Sequence, residues 1–270
     1  MMRFSGYVIF SVLCLSFPLR AQNVNSETIA VNWSDPARPG LLRANIRNGS
    51  VSIKAYEGKD VIIETRAMSP RSGSVTAQGL RRLDPDSIGL NIEEQNNVMF
   101  ITTRNTTLDA DITVKVPTKT NLVLWTQKGA ITVEGVAGEV EASSNTGPVT
   151  LSDISGSAVA HSVDGAVKAS FREVAAGKPM SFISLNKAVD VTLPGDTKAN
   201  LKLMTDNGSV YTDFDTKLNR EPVAVQDSRQ QGRGRYQFQV RNIFSALLNG
   251  GGPEFDLRSL GGDIYIHKRR

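Results

Sequence analysis

The side chains that could do chemistry in this sequence are carboxylates set on closely spaced apolar–polar alternations. Glu134, Glu139, Glu141, Asp153 and Asp164 fall in consecutive short segments of that kind. Two such acids at a suitable separation, one with a raised pKa, are the equipment of a glycoside hydrolase. The companions that most other chemistries need are scarce. His161 and His267 are the only histidines. The first sits in an alternating strand as a face or corner residue, the second in a basic tail. No Gly-x-Ser-x-Gly elbow, phosphate loop or His-Glu-x-x-His pair occurs. The one cysteine, Cys14, lies in an apolar N-terminal run, so thiol catalysis and thiolate zinc sites have no residues further along. Outward charge that keeps a sheet soluble accounts for the acids. The chain reads as a non-enzyme without cofactor or metal, with Glu139 and Glu141 kept as binding candidates.

Hard-oxygen clusters at Asp206-Asn207-Gly208 and Asp213-Phe214-Asp215 could suit calcium, but neither follows an EF-hand or nonapeptide pattern. Turn chemistry explains both. Arg229, Arg233 and Arg235, in Arg229-Gln230-Gln231-Gly232-Arg233-Gly234-Arg235, form a basic stretch that could attract acidic glycans. Trp33 and Trp125 open strands as packing anchors or end caps. The formal charge of +4 is too small for a nucleic-acid footprint, and none is expected.

What positions these residues is a phrase that keeps returning: glycine, any residue, then apolar–any–apolar. It occurs at Gly49, Gly129, Gly147, Gly165, Gly208 and Gly262, as in Thr146-Gly147-Pro148-Val149-Thr150-Leu151. Gly129, Gly147 and Gly165 are evenly spaced, and the step from Gly165 to Gly208 is more than twice as long. That longer interval reads as two units, with Lys187 in the intermediate glycine position. Glycine at each corner permits positive φ and keeps side chains away from the neighbouring unit. The spacing predicts an all-β chain: a single-chain β-solenoid of stacked 18–22-residue rungs, each burying its apolar face against the next. An antiparallel sandwich is the competing architecture.

The first residues form a separate segment. A basic start, an apolar run over Gly6–Leu19 and a small residue at Ala21 read as a signal peptide over residues 1–21, too short to span a membrane. Residues 22–120 read as a less regular N-terminal β region or cap, with a loop insertion over about 67–95. Residues 121–270 read as the regular solenoid, with an irregular loop at about 217–235. Phe255–Arg258 and Asp263–His267 are expected to finish the stack, with the basic tail blunting its last edge.

The repeated Gly-x-[Val/Ile]-x-[Val/Leu/Ile] units and the terminal Gly-Gly-Pro-x-Phe-x-Leu-Arg-Ser-x-Gly-Gly-Asp-Ile-Tyr-Ile-x-Lys resemble the bacterial adhesin-like β-solenoid family, a domain of unknown function. The resemblance runs over roughly residues 40–268. It implies an exported repeat protein of the cell envelope, with an adhesive or structural role and no catalytic residues to carry over. The expected location is periplasmic, cell-surface or extracellular, with no integral membrane segment after the signal peptide. The expected partner is an envelope or extracellular polymer or protein. The alternatives are a polysaccharide-acting β-helix enzyme using stacked acids, and a self-assembling scaffold joined end to end through open strand edges.

Overall fold

The computed structural model describes residues 26–67, 89–103, 110–220, 225–227, 236–238 and 242–270. The first strands are β1 (Ser26–Val31), β2 (Leu41–Asn48), β3 (Val51–Tyr56), β4 (Val61–Ala67), β5 (Leu90–Gln95), β6 (Val98–Thr103) and β7 (Ala110–Pro117). The middle holds β8 (Asn121–Lys128), β9 (Ile131–Glu134), β10 (Glu139–Ser144), β11 (Val149–Ser162), β12 (Val167–Val174), β13 (Met180–Ser184) and β14 (Val189–Leu193). The last part holds β15 (Ala199–Thr205), β16 (Val210–Thr212), β17 (Asn219–Arg220), β18 (Val225–Asp227), β19 (Tyr236–Phe238), β20 (Asn242–Leu248), β21 (Glu254–Ser259) and β22 (Ile264–Lys268). The described residues contain no helix. The expected signal peptide and most of the two expected loop insertions lie outside the described residues.

Twenty strands form one sheet, and β18 and β19 pair separately. The large sheet has two runs of neighbours. The first ladder runs β5–β6–β2–β8–β10–β11–β13–β21–β15–β20–β17. The second runs β1–β4–β7–β3–β9–β11–β12–β14–β22–β16. Through the middle of both, every pair is parallel. The chain runs along a strand of the first ladder, turns a corner, runs along one of the second, and turns back. Such a circuit is one tier. Strand β11 belongs to both ladders and makes the crossing without a turn. Asp153 at φ 54°, Gly156 at φ 155° and register shifts after Leu151 and Ile154 bend it. An extra residue of this kind kinks a strand and re-aims it.

Strict alternation explains the single core. In β14 the pattern runs buried, half-buried, buried, half-buried, buried. Val51, Ile131, Val149, Val167, Val189 and Ile264 stand in register, one above another, and all are buried. β-Branched residues suit such a pleated surface, where each packs on its like in the tier below. Phe171, Phe182 and Phe255 fill the wider middle, with the rings of Phe171 and Phe182 edge to face at 6.0 Å.

The tiers do not stack in chain order. The β2–β3 tier lies between β6–β7 and β8–β9, and the C-terminal β21–β22 tier lies between β13–β14 and β15–β16. The expectation that the C-terminal strands finish the stack is therefore corrected: they are interior. The basic tail is pinned as well. Arg269 reaches Asp153 at 2.8 Å and the Phe171 carbonyl at 3.0 Å. Asn48-Gly49 makes the turn at a corner between ladders, since β2 and β3 pair with different neighbours. A hairpin does form at Asn96-Asn97, where both residues take positive φ and β5 runs antiparallel to β6.

Both ends of the first ladder, and one end of the second, close with antiparallel strands. β5, β17 and β1 are the outermost of these. The remaining end is β16, which is only three residues long.

Candidate functional site

The corners carry the most regular polar arrangement. Thr126, Ser144, Ser162, Ser184, Ser259 and Thr205 stand in register at the end of successive strands of the first ladder, and all are buried. Each hydroxyl from Ser144 onward accepts from the backbone N–H three residues on. It also donates to the corner carbonyl of the adjacent tier. Ser162 Oγ accepts from Gly165 N at 2.9 Å and donates to the Gly147 carbonyl at 2.9 Å. Ser184 does the same between Lys187 N and the Gly165 carbonyl, and Ser259 between Gly262 N and the Lys187 carbonyl. A hydroxyl is suited to this because it donates and accepts at once. The column satisfies corner groups that the ladders leave without partners.

This column also explains the glycines. A Cβ on Gly147 would lie 1.8 Å from the Gly129 carbonyl oxygen, and one on Gly165 would lie 2.1 Å from that of Gly147. Positive φ applies at Gly49 and Gly129 but not at Gly147, Gly165, Gly208 or Gly262. At those four, close approach of the neighbouring tier is the reason for glycine. The sequence shows the hydroxyl as a Ser/Thr three residues before each corner from Gly129 onward, while Ile46 takes that place before Gly49. A phrase read from the residue just before glycine starts too late to include it.

The candidate acids are scattered over the surface. Glu134 lies 3.8 Å from Lys54, Asp153 is bonded to Arg269, and Asp164 Oδ1 accepts from Asn186 Nδ2 at 2.6 Å. Glu139 and Glu141 project from β10 on the outer face of the first ladder. They border a shallow groove of about 480 Å³ floored by Leu41, Val123 and Val159. Glu139 pairs with Lys178 at 3.0 Å, and its side chain is 64% exposed. Solvent therefore screens this carboxylate. His161 projects outward from β11, two residues beyond the exposed Val159. Trp33 is buried and packs over Gly40, whereas Trp125 stands on the outer face of the first ladder.

Asp213 accepts from Lys268 N at 2.6 Å, which occupies one oxygen of that proposed calcium cluster. Among the described residues no three His, Cys, Asp or Glu side chains converge as metal ligands. Arg229, Arg233 and Arg235 lie outside the described residues.

One surface grouping escaped the sequence reading. On the outer face of the second ladder, the ring of Tyr211 stacks on that of Tyr265 at 5.1 Å and 12°. The ring of Tyr265 is nearly parallel to that of His267, with centroids 6.2 Å apart. Tyr265 donates its hydroxyl to Asp263 at 3.0 Å, and this bond holds the phenol above the usual tyrosine range. The signal was Val210-Tyr211-Thr212 and Ile264-Tyr265-Ile266, in which a tyrosine takes the outward place of the repeated phrase.

The molecule defined so far is an all-β protein whose polar order lies in its corners and whose exposed groups lie on two outer faces. No family model matches the chain, and no curated protein matches it. It is similar to a solved structure from Clostridium sporogenes provisionally described as a cell adhesion protein. Identity is 11%, coverage is 91% of this chain and 100% of that one, and the TM-score is 0.44. A second, from Bacteroides fragilis and provisionally described as an adhesin, has 11% identity, coverage of 90% and 97%, and a TM-score of 0.25. At these scores the likeness carries no argument about function.

Proposed function

We propose that this chain is an exported, non-catalytic β-solenoid whose outer faces bind a polymer or protein of the cell envelope. The observation that carries the reading is the first ladder's outer face. Phe100, Trp125 and Val159 are 41%, 37% and 45% exposed there, on strands whose inward residues are buried. Apolar groups held in fixed register on a rigid ladder make a preorganised contact surface, because little order has to be created on binding. The groove between Leu41, Val123 and Val159, rimmed by Glu139, Glu141 and Lys178, adds polar groups for orientation. Residues 121–270 form the main coil in this reading, and β1, β4 and β5 act as its N-terminal cap.

The polysaccharide-cleaving alternative is less well supported. Glu139 and Glu141 sit two residues apart on one open strand, with Lys178 on the first. End-to-end assembly fares similarly, because antiparallel closure and very short edges leave little to pair.

The test combines location with binding. Intact cells are treated with protease and the chain followed by antibody, with a periplasmic protein as leakage control. Purified protein is then screened against envelope and matrix polymers. Retention by one polymer supports the reading, and failure on all of them sinks it. Turnover that disappears in Glu139→Gln would instead establish the enzyme.

A further inference from the structure

We propose that Tyr211, Tyr265 and His267, with Asp190 and Asp263 beside them, form a saccharide-stacking site for a neutral pyranose chain. This rests on the binding role above and names its ligand class and place. The residues are brought together by topology alone. Asp190, Tyr265 and Tyr211 occupy one register line across β14, β22 and β16, although the two tyrosines belong to tiers far apart in the chain. Only the interior placement of the C-terminal tier puts the rings side by side.

The geometry is built rather than incidental. Asp263 is anchored at Oδ1 by Ser209 N at 2.8 Å, and its Oδ2 takes the Tyr265 hydroxyl. That fixes the ring against which Tyr211 stacks. Tyr211 is half exposed and stands on the last strand of its ladder. One face of its ring meets Tyr265. Among the described residues, no strand lies beyond the other face. A half-exposed aromatic ring, in a stack flanked by carboxylates and an imidazole, matches a pyranose. The apolar C–H face of the sugar covers the ring, and its hydroxyls donate to the acids.

Charge decides between ring-shaped ligands. Bases of single-stranded nucleic acid also stack on tyrosine, but they need a basic groove for the phosphates. Here Asp190 and Asp263 adjoin the rings, and the flanking segments carry Asp206 and Asp213 against Lys268 and Arg270, so the charges nearly cancel. Lys168 is turned toward Asp190 at 3.8 Å, and His267 Nε2 lies 3.6 Å from the same carboxylate. A neutral sugar fits that balance, and a polyanion does not. The same register line continues inward as Lys168, Thr150, Thr132 and Ser52, all on the outer face. An outer face that continues past Tyr265 through Asp190 and Lys168 to hydroxyl side chains offers contacts to a chain that a single sugar would not reach.

The test is affinity electrophoresis of the full protein in gels containing hydroxyethyl cellulose or glycol chitin, with soluble cellohexaose and chitohexaose as competitors. The two polymers distinguish glucosyl from N-acetylglucosaminyl chains. Retardation of the wild type that weakens about five- to tenfold in Tyr211→Ala supports the site. Tyr265→Phe should keep most of the binding, since it keeps the ring. Circular dichroism should show both variants folded. Binding unchanged in Tyr211→Ala but lost in Val159→Ser would move the ligand to the first ladder. That overturns this site and leaves the general reading standing. No retardation of the wild type in either gel overturns the saccharide proposal. The wider reading then stands or falls on the polymer and protein screen.

Discussion

The carbonyl oxygen of Gly129 stands where a side chain on Gly147 would have to begin, 1.8 Å from the Cβ position. The obstacle is backbone in an interior tier, so no side chain can swing away to relieve it. Gly147→Ala should therefore cost about 3 kcal/mol or more, at or beyond the upper range for forcing extra volume into packed protein. Gly250 provides the control. Its φ is 87° and nothing lies within 4 Å of its Cβ position, so Gly250→Ala carries only left-handed strain of about 1–2 kcal/mol. Urea unfolding of the two variants separates a clash from a dihedral cost.

Ser162→Ala removes one hydroxyl and strands two buried groups, the Gly165 N–H and the Gly147 carbonyl. Leaving a buried group without its partner costs about 1–3 kcal/mol, so the loss should be of that order or above. Ser162→Thr keeps the hydroxyl and should lose much less, as Thr126 and Thr205 already fill equivalent places. Equal destabilisation by Ala and Thr would show that packing, and not the hydrogen bonds, sets the cost.

A chain ending at Gly252 lacks β21 and β22, and with them the shared neighbour of β13 and β15 and of β14 and β16. It should lose its cooperative unfolding transition and become sensitive to protease. A chain beginning after Val31 lacks only the outermost β1, which pairs with β4 alone, and should keep the transition. Retention of full cooperativity by the C-terminal truncation would contradict the interior placement.

The Glu94 carboxylate accepts from the Ser34 hydroxyl at 2.7 and 2.9 Å and from the backbone N–H groups of Ser34 and Asn97. The Ser34 hydroxyl contributes most to holding its pKa below the ordinary value of 4.5. A lowered folded pKa gives stability that is complete above the unfolded value and is lost as pH falls through the folded one. Wild-type stability should therefore decline below about pH 4.5 with a component missing from Glu94→Gln. Identical slopes for the two proteins would contradict this.

Strand positions and inward residues were legible because alternation with period two is a local property. Val167, Val189 and Ile264 announce themselves as buried without reference to any partner. The order of tiers was not legible. The long step from Gly165 to Gly208 looks like two consecutive units, yet the parallel neighbour that β13 gains on its far side is β21, which begins only at Glu254. Parallel tiers built from the same phrase satisfy one another in many orders, so the phrase cannot choose among them. The Tyr211–Tyr265 stack depends on that choice and was hidden with it. Glu139 and Glu141 were visible as acids, but their openness to solvent is a property of the folded groove.

The β21–β22 tier comes after both of its neighbours in the chain, yet its place is between them. Residues 254–268 must enter between two tiers, β13–β14 and β15–β16, that were both synthesised well before them. Residues 254–268 thus work as a seal: a copy that stops short of them stays open at its seam and recognisable to proteases.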